Sequence, residues 1–310
     1  GHAPVGVSGD DHATAGNHSA KVVRDGQGKI HVAWLDSGRP GQRPRLLYRR
    51  GSQDSTSRRV TWETEPLPVS DAKLVAGNSY VAIAASENAI HFVWSGAGSA
   101  RYRRLVQTAT NWTFEAIRET RAKGASPDNS PGLAVRGDAE IHVLTPTGNY
   151  ALSTDGGATW SNDRMPVPTE MGMKNPAMDV DGQGNVHIVY TGSVRRPPKW
   201  SSSKPNRGYW QLRYIRRENG QWVDGQDALA SFPRWREPLD ESDMLSDWAD
   251  IAVDRRGNVH VVWHGTVNTR IYGNDEPYYS TRLSRAEGRW GNWNEPQPLR
   301  PINAAKGEFF

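Results

Sequence analysis

The feature that most constrains this chain is a segment that occurs five times. "GKIHVAW", "NAIHFVW", "AEIHVLT", "GNVHIVY" and "GNVHVVW" begin at Gly28, Asn88, Ala139, Gly184 and Gly257. Each follows a short apolar stretch and a polar turn, as in "AKVVRDGQG", "AMDVDGQG" and "DIAVDRRG". Asp-Gly and nearby Gly supply the positive φ that tight hairpins need. A third segment follows each copy ("LLYRR", "ARYRR", "NYALS", "LRYIRR", "PYYSTR"), and then a fourth near a Trp ("TWETEPLPV", "NWTFEAI", "TWSNDRMPV", "QWVDGQDAL", "NWNEPQPL"). Each unit therefore reads as a four-stranded antiparallel meander, with strands a to d. Such units, recurring along a chain of 310 residues, read as blades of an all-β, five-bladed β-propeller. Six blades is the fallback, if an irregular one hides in the long inserts. The blades are expected at about 17–70, 78–118, 129–168, 175–230 and 247–300, within one domain spanning 1–310.

Composition agrees and excludes several chemistries. With 31 Gly and 20 Pro the chain is rich in turns, and no long amphipathic helix can be found. There is no Cys, so disulfide frameworks, thiolate catalysis and Cys-bound zinc are ruled out. No apolar run is long enough to span a membrane, and no signal peptide is visible. The net charge of +4 fits an acidic partner, but no nucleic-acid-binding motif accompanies it.

"STDGGATW", Ser153–Trp160, lies between strands c and d of the third unit. Ser153, Asp155, Gly157 and Trp160 match the Asp box, and the chain thereby resembles the sialidase-like (BNR/Asp-box repeat) β-propellers. The resemblance implies a structural role for these residues. Asp and Ser tie the turn and Trp packs between blades. It also implies a carbohydrate substrate and a secreted or periplasmic protein, here expected to be a monomer.

Candidate functional residues lie where blades differ. In such a meander the a–b and c–d turns share one end of the sheet, and the b–c and d–a loops share the other. The latter carry the unusual sequences at 191–210, 232–248 and 264–277. Aligned starts of the inner strands read "GNHSA", "GNSYV", "DNSPG", "KNPAM" and "SDWAD", which puts Asn17, Asn78, Asn129, Asn175 and Asp247 in one slot. The next slot varies: His18, Ser79, Ser130, Pro176 and Trp248. Sialidases carry Arg-Ile-Pro in the first blade, where this chain has His18-Ser19-Ala20, so the sialidase arginine is missing.

The first blade instead resembles that of the BNR-repeat, ulvan lyase-like polysaccharide lyases, which have a histidine at this place and a Tyr–His–Arg cluster. That resemblance implies β-elimination on a uronic-acid-containing polysaccharide or oligosaccharide. A base takes the proton beside the carboxylate, an acid protonates the leaving oxygen, and cations neutralise the charge that develops. The candidates are His18 and His264, with Tyr80 or Tyr272 as the acid and Arg195, Arg196, Arg236 and Arg270 on the carboxylate. Tyr278 is a further rim tyrosine, and Asn17, Asn78, Asn129, Asn175, Asp247 and Trp248 would complete the binding surface.

Two alternatives stand beside this one. Paired carboxylates among Asp11, Asp247, Asp250 and Glu276 would suit a glycoside hydrolase. Trp200, Trp210, Trp235 and Trp248 would suit a non-catalytic lectin, although a lectin propeller usually repeats its binding residues in every blade. No cofactor is expected. Asp10, Asp11 and His12 leave room for a structural or substrate-bridging divalent cation. His31, His91, His142, His187 and His260 recur in strand b of every unit and are expected to be scaffold histidines between blades. The arginines of Tyr48–Arg50 and Tyr102–Arg104 are expected to solvate outer blade surfaces.

Overall fold

The computed structural model describes residues 21–36, 44–71, 80–96, 98–109, 111–124, 130–166, 173–194, 209–228, 246–266, 275–284, 290–294 and 296–299. They form five antiparallel sheets in two compact units, Gly1–Met165 and Pro166–Phe310. The first unit holds blades 1 to 3. Blade 1 comprises β1 (Val22–Arg24), β2 (Lys29–Asp36), β3 (Arg45–Gln53), β4 (Val60–Trp62) and β5 (Leu67–Pro68). Blade 2 comprises β6 (Val81–Ala85), β7 (Ala89–Ser95), β8 (Ser99–Gln107), β9 (Trp112–Phe114) and β10 (Arg118–Lys123). Blade 3 comprises β11 (Gly132–Arg136), β12 (Glu140–Leu144), β13 (Asn149–Ser153) and β14 (Asp163–Arg164).

The second unit holds blades 4 and 5. Blade 4 comprises β15 (Met173–Val180), β16 (Val186–Val194), β17 (Tyr209–Glu218) and β18 (Gln221–Ala228). Blade 5 comprises β19 (Ser246–Val253), β20 (Val259–Thr266), β21 (Asp275–Ser284), β22 (Trp290–Trp293) and β23 (Gln297–Pro298). In blades 1, 2 and 5 the fourth strand is broken into two pieces, both paired with the third strand. Lys123 ends the second of these pieces in blade 2.

Both faces of an inner hairpin are buried, which is why strands b read as nearly continuous apolar runs. In β7, Ile90, Phe92 and Trp94 pack with Leu46, Tyr48 and Val69 of blade 1. The alternate residue Val93 packs with Leu133, Ile141 and Trp160 of blade 3. Blades 4 and 5 share a core of the same kind, with Val189, Leu212 and Tyr214 against Ile251, Val261 and Trp263.

The five recurring histidines each sit in a hydrogen-bonded chain. In blade 1, His31 Nδ1 lies 2.8 Å from Tyr48 Oη and its Nε2 lies 3.0 Å from Asp25 Oδ2. The corresponding pairs are His187 with Tyr214 and Asp181, and His260 with Tyr279 and Asp254. In blade 3, Glu140 takes the place of the turn aspartate beside His142 and Tyr150. A carboxylate only accepts, so Nε2 carries the proton and Nδ1 accepts from the tyrosine hydroxyl. The other oxygen of the turn aspartate shapes the a–b hairpin. Asp25 Oδ1 accepts from the N–H of Gln27 and Lys29, and Asp181 and Asp254 repeat this in their own turns. Gly28, Gly184 and Gly257 close these turns at φ of +80°, +89° and +79°.

In blade 2 a serine stands beside the histidine in place of an acid and links it to one from blade 3. Ser86 Oγ lies 2.9 Å from His91 Nε2 and donates to Asp138 of blade 3 at 2.5 Å. Asp138 also accepts from the backbone and side-chain amides of Asn88. His31 lies on a face between blades, where Trp112 of blade 2 packs against it at a tilt with ring centroids 5.5 Å apart. The histidines' own hydrogen bonds, however, stay within one blade.

The Asp-box turn is held by its own side chains. Ser153 Oγ donates to Asp155 and accepts from Gly157 N–H, and Asp155 accepts from the N–H and hydroxyl of Thr159. These bonds hold the Asp155 carboxyl at about 2, the Thr159 hydroxyl contributing most. Trp160 packs edge-on against Tyr102 of blade 2, with ring centroids 5.2 Å apart.

The strand-c arginines depart from expectation. Arg103 lies over Phe114 at 4.4 Å and donates to Glu115 O in its own blade and Val69 O in blade 1. Arg50 lies over Trp112 of blade 2. They stitch blades together because a guanidinium can stack and donate at once.

Candidate functional site

The loop-bearing ends of the sheets are unequal. Blades 2 and 3 close their b–c ends with tight turns, Gly96 N–H donating to Ser99 O and Gly148 N–H to Thr145 O. In blades 4 and 5 the strands run further than the sequence suggests. β16 and β17 pair out to Val194 and Tyr209, and β20 and β21 pair out to Thr266 and Asp275. His264, expected in a loop, is therefore on β20. An alternating apolar run extended by Gly and Thr continues the ladder until the polar stretch that follows.

Blade 5 brings four candidates to one edge. His264 is the register partner of Asp247 on β19 and of Pro277 on β21. Glu276 is one step along, opposite Gly265. Trp248 lies in the bulge between Asp247 and Asp250, where the register shifts. A bulge at this place re-aims the start of an inner strand, as bulges beside binding sites commonly do. Asp250 is exposed and accepts its neighbour's N–H at 2.9 Å from Ile251.

Blade 4 carries the matching bulge. Asn175 lies between Lys174 and Ala177, is 5% exposed, and has φ of +53°. Asn tolerates this left-handed conformation better than most residues. The pairings Lys174 with Thr191 and Asp247 with His264 occupy the same rung, so Asn175 corresponds to Trp248. The sequence alignment that put Asn175 and Asp247 in one slot is corrected by one residue. The bulge inserts a residue ahead of a strand that sequence spacing alone reads as regular.

In the first unit, Tyr80 is half-buried immediately before β6. Beside it lies a residue that sequence reasoning missed, Lys21, just before β1. Its ammonium donates to Val81 O and to Ser130 Oγ. Tyr278 packs into the core at 5% exposed, stacked on Trp263, which makes it a scaffold residue. His18, Asn17, Asn78, Asn129, Tyr272, Arg195, Arg196, Arg236 and Arg270 lie outside the described residues, as do Asp10, Asp11 and His12. Among the described residues no three His, Asp or Glu converge on a metal-sized site.

The relay histidines are poor acid–base candidates. Burial lowers the pKa of His31, and it pushes His91 down to about 4. They also belong to the opposite end of the sheet from the long loops.

Two solved structures share this architecture over most of the chain. A PL25 ulvan lyase superposes with a TM-score of 0.55 at 11% identity, covering 89% of this chain and 70% of that one. The polysaccharide lyase Uly1 superposes with a TM-score of 0.52 at 12% identity, covering 96% of this chain and 74% of that one. The chain is a β-propeller. Among the described residues there are five sheets, three of them with a fourth strand broken in two, which is the blade count that the repeats imply. NanB sialidase from Streptococcus pneumoniae matches with a TM-score of 0.42 at 17% identity, over 71% of the propeller and 32% of its own chain. At that score the likeness carries no argument. No protein-family model matches the propeller, and no curated protein matches it in sequence.

Proposed function

We propose that this propeller is a carbohydrate-active enzyme that cleaves an acidic, uronic-acid-containing polysaccharide by β-elimination. The observation that carries this reading is the pairing of His264 with Asp247 at the loop-bearing edge of blade 5. The five recurring histidines are taken up by the scaffold, whereas His264 has no counterpart in the repeats. A fold shared with two polysaccharide lyases supports the same reading.

In the reaction, a base removes the proton from the carbon beside the carboxylate. The bond from the adjacent carbon to the glycosidic oxygen breaks, that oxygen takes a proton from an acid, and a C=C bond remains in the new non-reducing sugar. His18 acts as the base or charge stabiliser and His264 as the second histidine. Imidazole suits both roles because it titrates near neutral pH. Tyr80 or Tyr272 is the acid, and Arg195, Arg196, Arg236 and Arg270 hold the uronate. The protein works as a secreted or periplasmic monomer and needs no cofactor.

Incubation with a panel of uronic-acid polysaccharides tests this. The expected result is a rise in ultraviolet absorbance from unsaturated uronate. Reducing ends without that absorbance would overturn elimination in favour of hydrolysis by carboxylates such as Asp247 and Glu276. Retention on a glycan array with neither signal would make the protein a lectin.

A further inference from the structure

Lys21 occupies a slot whose other occupants define what the scaffold needs there. Its carbonyl accepts the N–H of Ala33 at 3.0 Å, which fixes its rung on the a–b ladder. The same rung holds Ala82, Gly132, Ala177 and Asp250 in the other blades, opposite Val93, Leu144, Val189 and Val262. Three of these four are Ala or Gly, so packing at this place asks for little side chain. A lysine there costs rotamer entropy and some desolvation of its charge.

The side chain leaves its own blade. From blade 1, the ammonium reaches Val81 O at the start of β6 and Ser130 Oγ, 3.4 Å away, just ahead of β11. A group that touches both the second and third blades lies where the inner strands of this unit begin. Val81 follows Tyr80, a candidate by its place at the rim, and Ser130 follows Asn129, a candidate from the alignment of blades. Ser130 is fully buried and Lys21 half-buried, so the ammonium is held on a fixed platform rather than waving in solvent.

We propose that Lys21 is a substrate-positioning cation, which seats the carboxylate of an acidic sugar over the starts of the inner strands of the first unit. The proposal rests on the acidic-glycan reading above. As the proton beside the carboxylate leaves, negative charge moves onto the carboxylate oxygens, so a preorganised ammonium favours the transition state as well as binding.

The test compares a glucuronic-acid-containing polysaccharide with its carboxyl-reduced form, by calorimetric titration of wild type, Lys21→Met and Lys21→Arg. Lys21→Met should weaken binding of the acidic form by about tenfold or more and leave the reduced form within about twofold, and Lys21→Arg should restore part of the loss. Equal losses for both forms, with a lowered Tm, would make Lys21 a clamp between blades and overturn the proposal. Unchanged affinity in Lys21→Met would overturn it while leaving the acidic-glycan reading intact. A wild type that binds both forms equally removes that reading, and the proposal with it. Should Lys21→Met not fold, amine acetylation of the wild type read by peptide mass spectrometry decides. Lys21 should be protected by the acidic form alone, and absence of protection overturns the role.

Discussion

A histidine buried as His91 is makes folding depend on proton concentration. Burial holds its pKa at about 4, against about 6.5 in an unfolded chain. Above the higher value both states are neutral and nothing changes. Between the two values the unfolded chain takes a proton that the folded one refuses, so stability falls as pH falls. The loss from this one group reaches about 3 kcal/mol when the lower value is passed. Asp181 adds a second window below this. Burial alone would raise its carboxyl, but hydrogen bonds from His187 and Asn185 outweigh burial and hold it at about 2. Its stabilisation is present above the ordinary carboxylate range and disappears as pH drops through about 2. Urea unfolding from about pH 7 down to about pH 4.5 should therefore show a steady loss of stability, reduced in His91→Gln. A flat profile would mean that the histidine takes its proton in the fold as readily as in the unfolded chain.

At the scale of single elements, two turns of blade 3 give a contrast between two glycines, one in the Asp box and one between β11 and β12. Gly157 has φ of +88°, and a Cβ there would meet Tyr102 Cε1 at 2.3 Å. Gly137 has φ of +58° with open space around it. Gly157→Ala should cost about 3 kcal/mol, from overpacking and backbone strain together, and Gly137→Ala about 1 kcal/mol. Equilibrium urea denaturation of the two variants measures the difference, and equal losses would show that the turn does not seat on Tyr102. This element was legible in the sequence because every position of Ser153–Trp160 is chemically specific. The strand after it was less so. Trp160 reads as its leader, yet Trp160 donates back to Gly157 O and packs on Tyr102, and pairing begins only at Asp163. Lys21 escaped notice for the opposite reason. One lysine before an apolar strand is commonplace, and only the ladder rungs show that its slot holds Ala or Gly in three of the other four blades.

Across the whole molecule, the two kinds of histidine should separate stability from function. His264→Ala is expected to lower turnover on an acidic polysaccharide by about a hundredfold or more with little change in Tm. His31→Ala should do the reverse, since it leaves Asp25 and Tyr48 buried without their partner, at a cost of about 2–4 kcal/mol. Activity assays beside thermal melts test the pair, and a large Tm loss in His264→Ala would return that residue to the scaffold. The fold could be read from the chain because its parts repeat. The site could be read only in outline, because its members come from different blades and share no spacing. The tyrosine–histidine–acid chains have a bearing on this difference. Sliding strand b by one residue against strand c would carry the imidazole to the far face and break both of its bonds at once. Each hairpin is thus indexed from the turn end, with no help needed from the opposite loops. Those loops are free to lengthen, shorten and change residue by residue, so one scaffold can be refitted to new substrates without a strand losing its place.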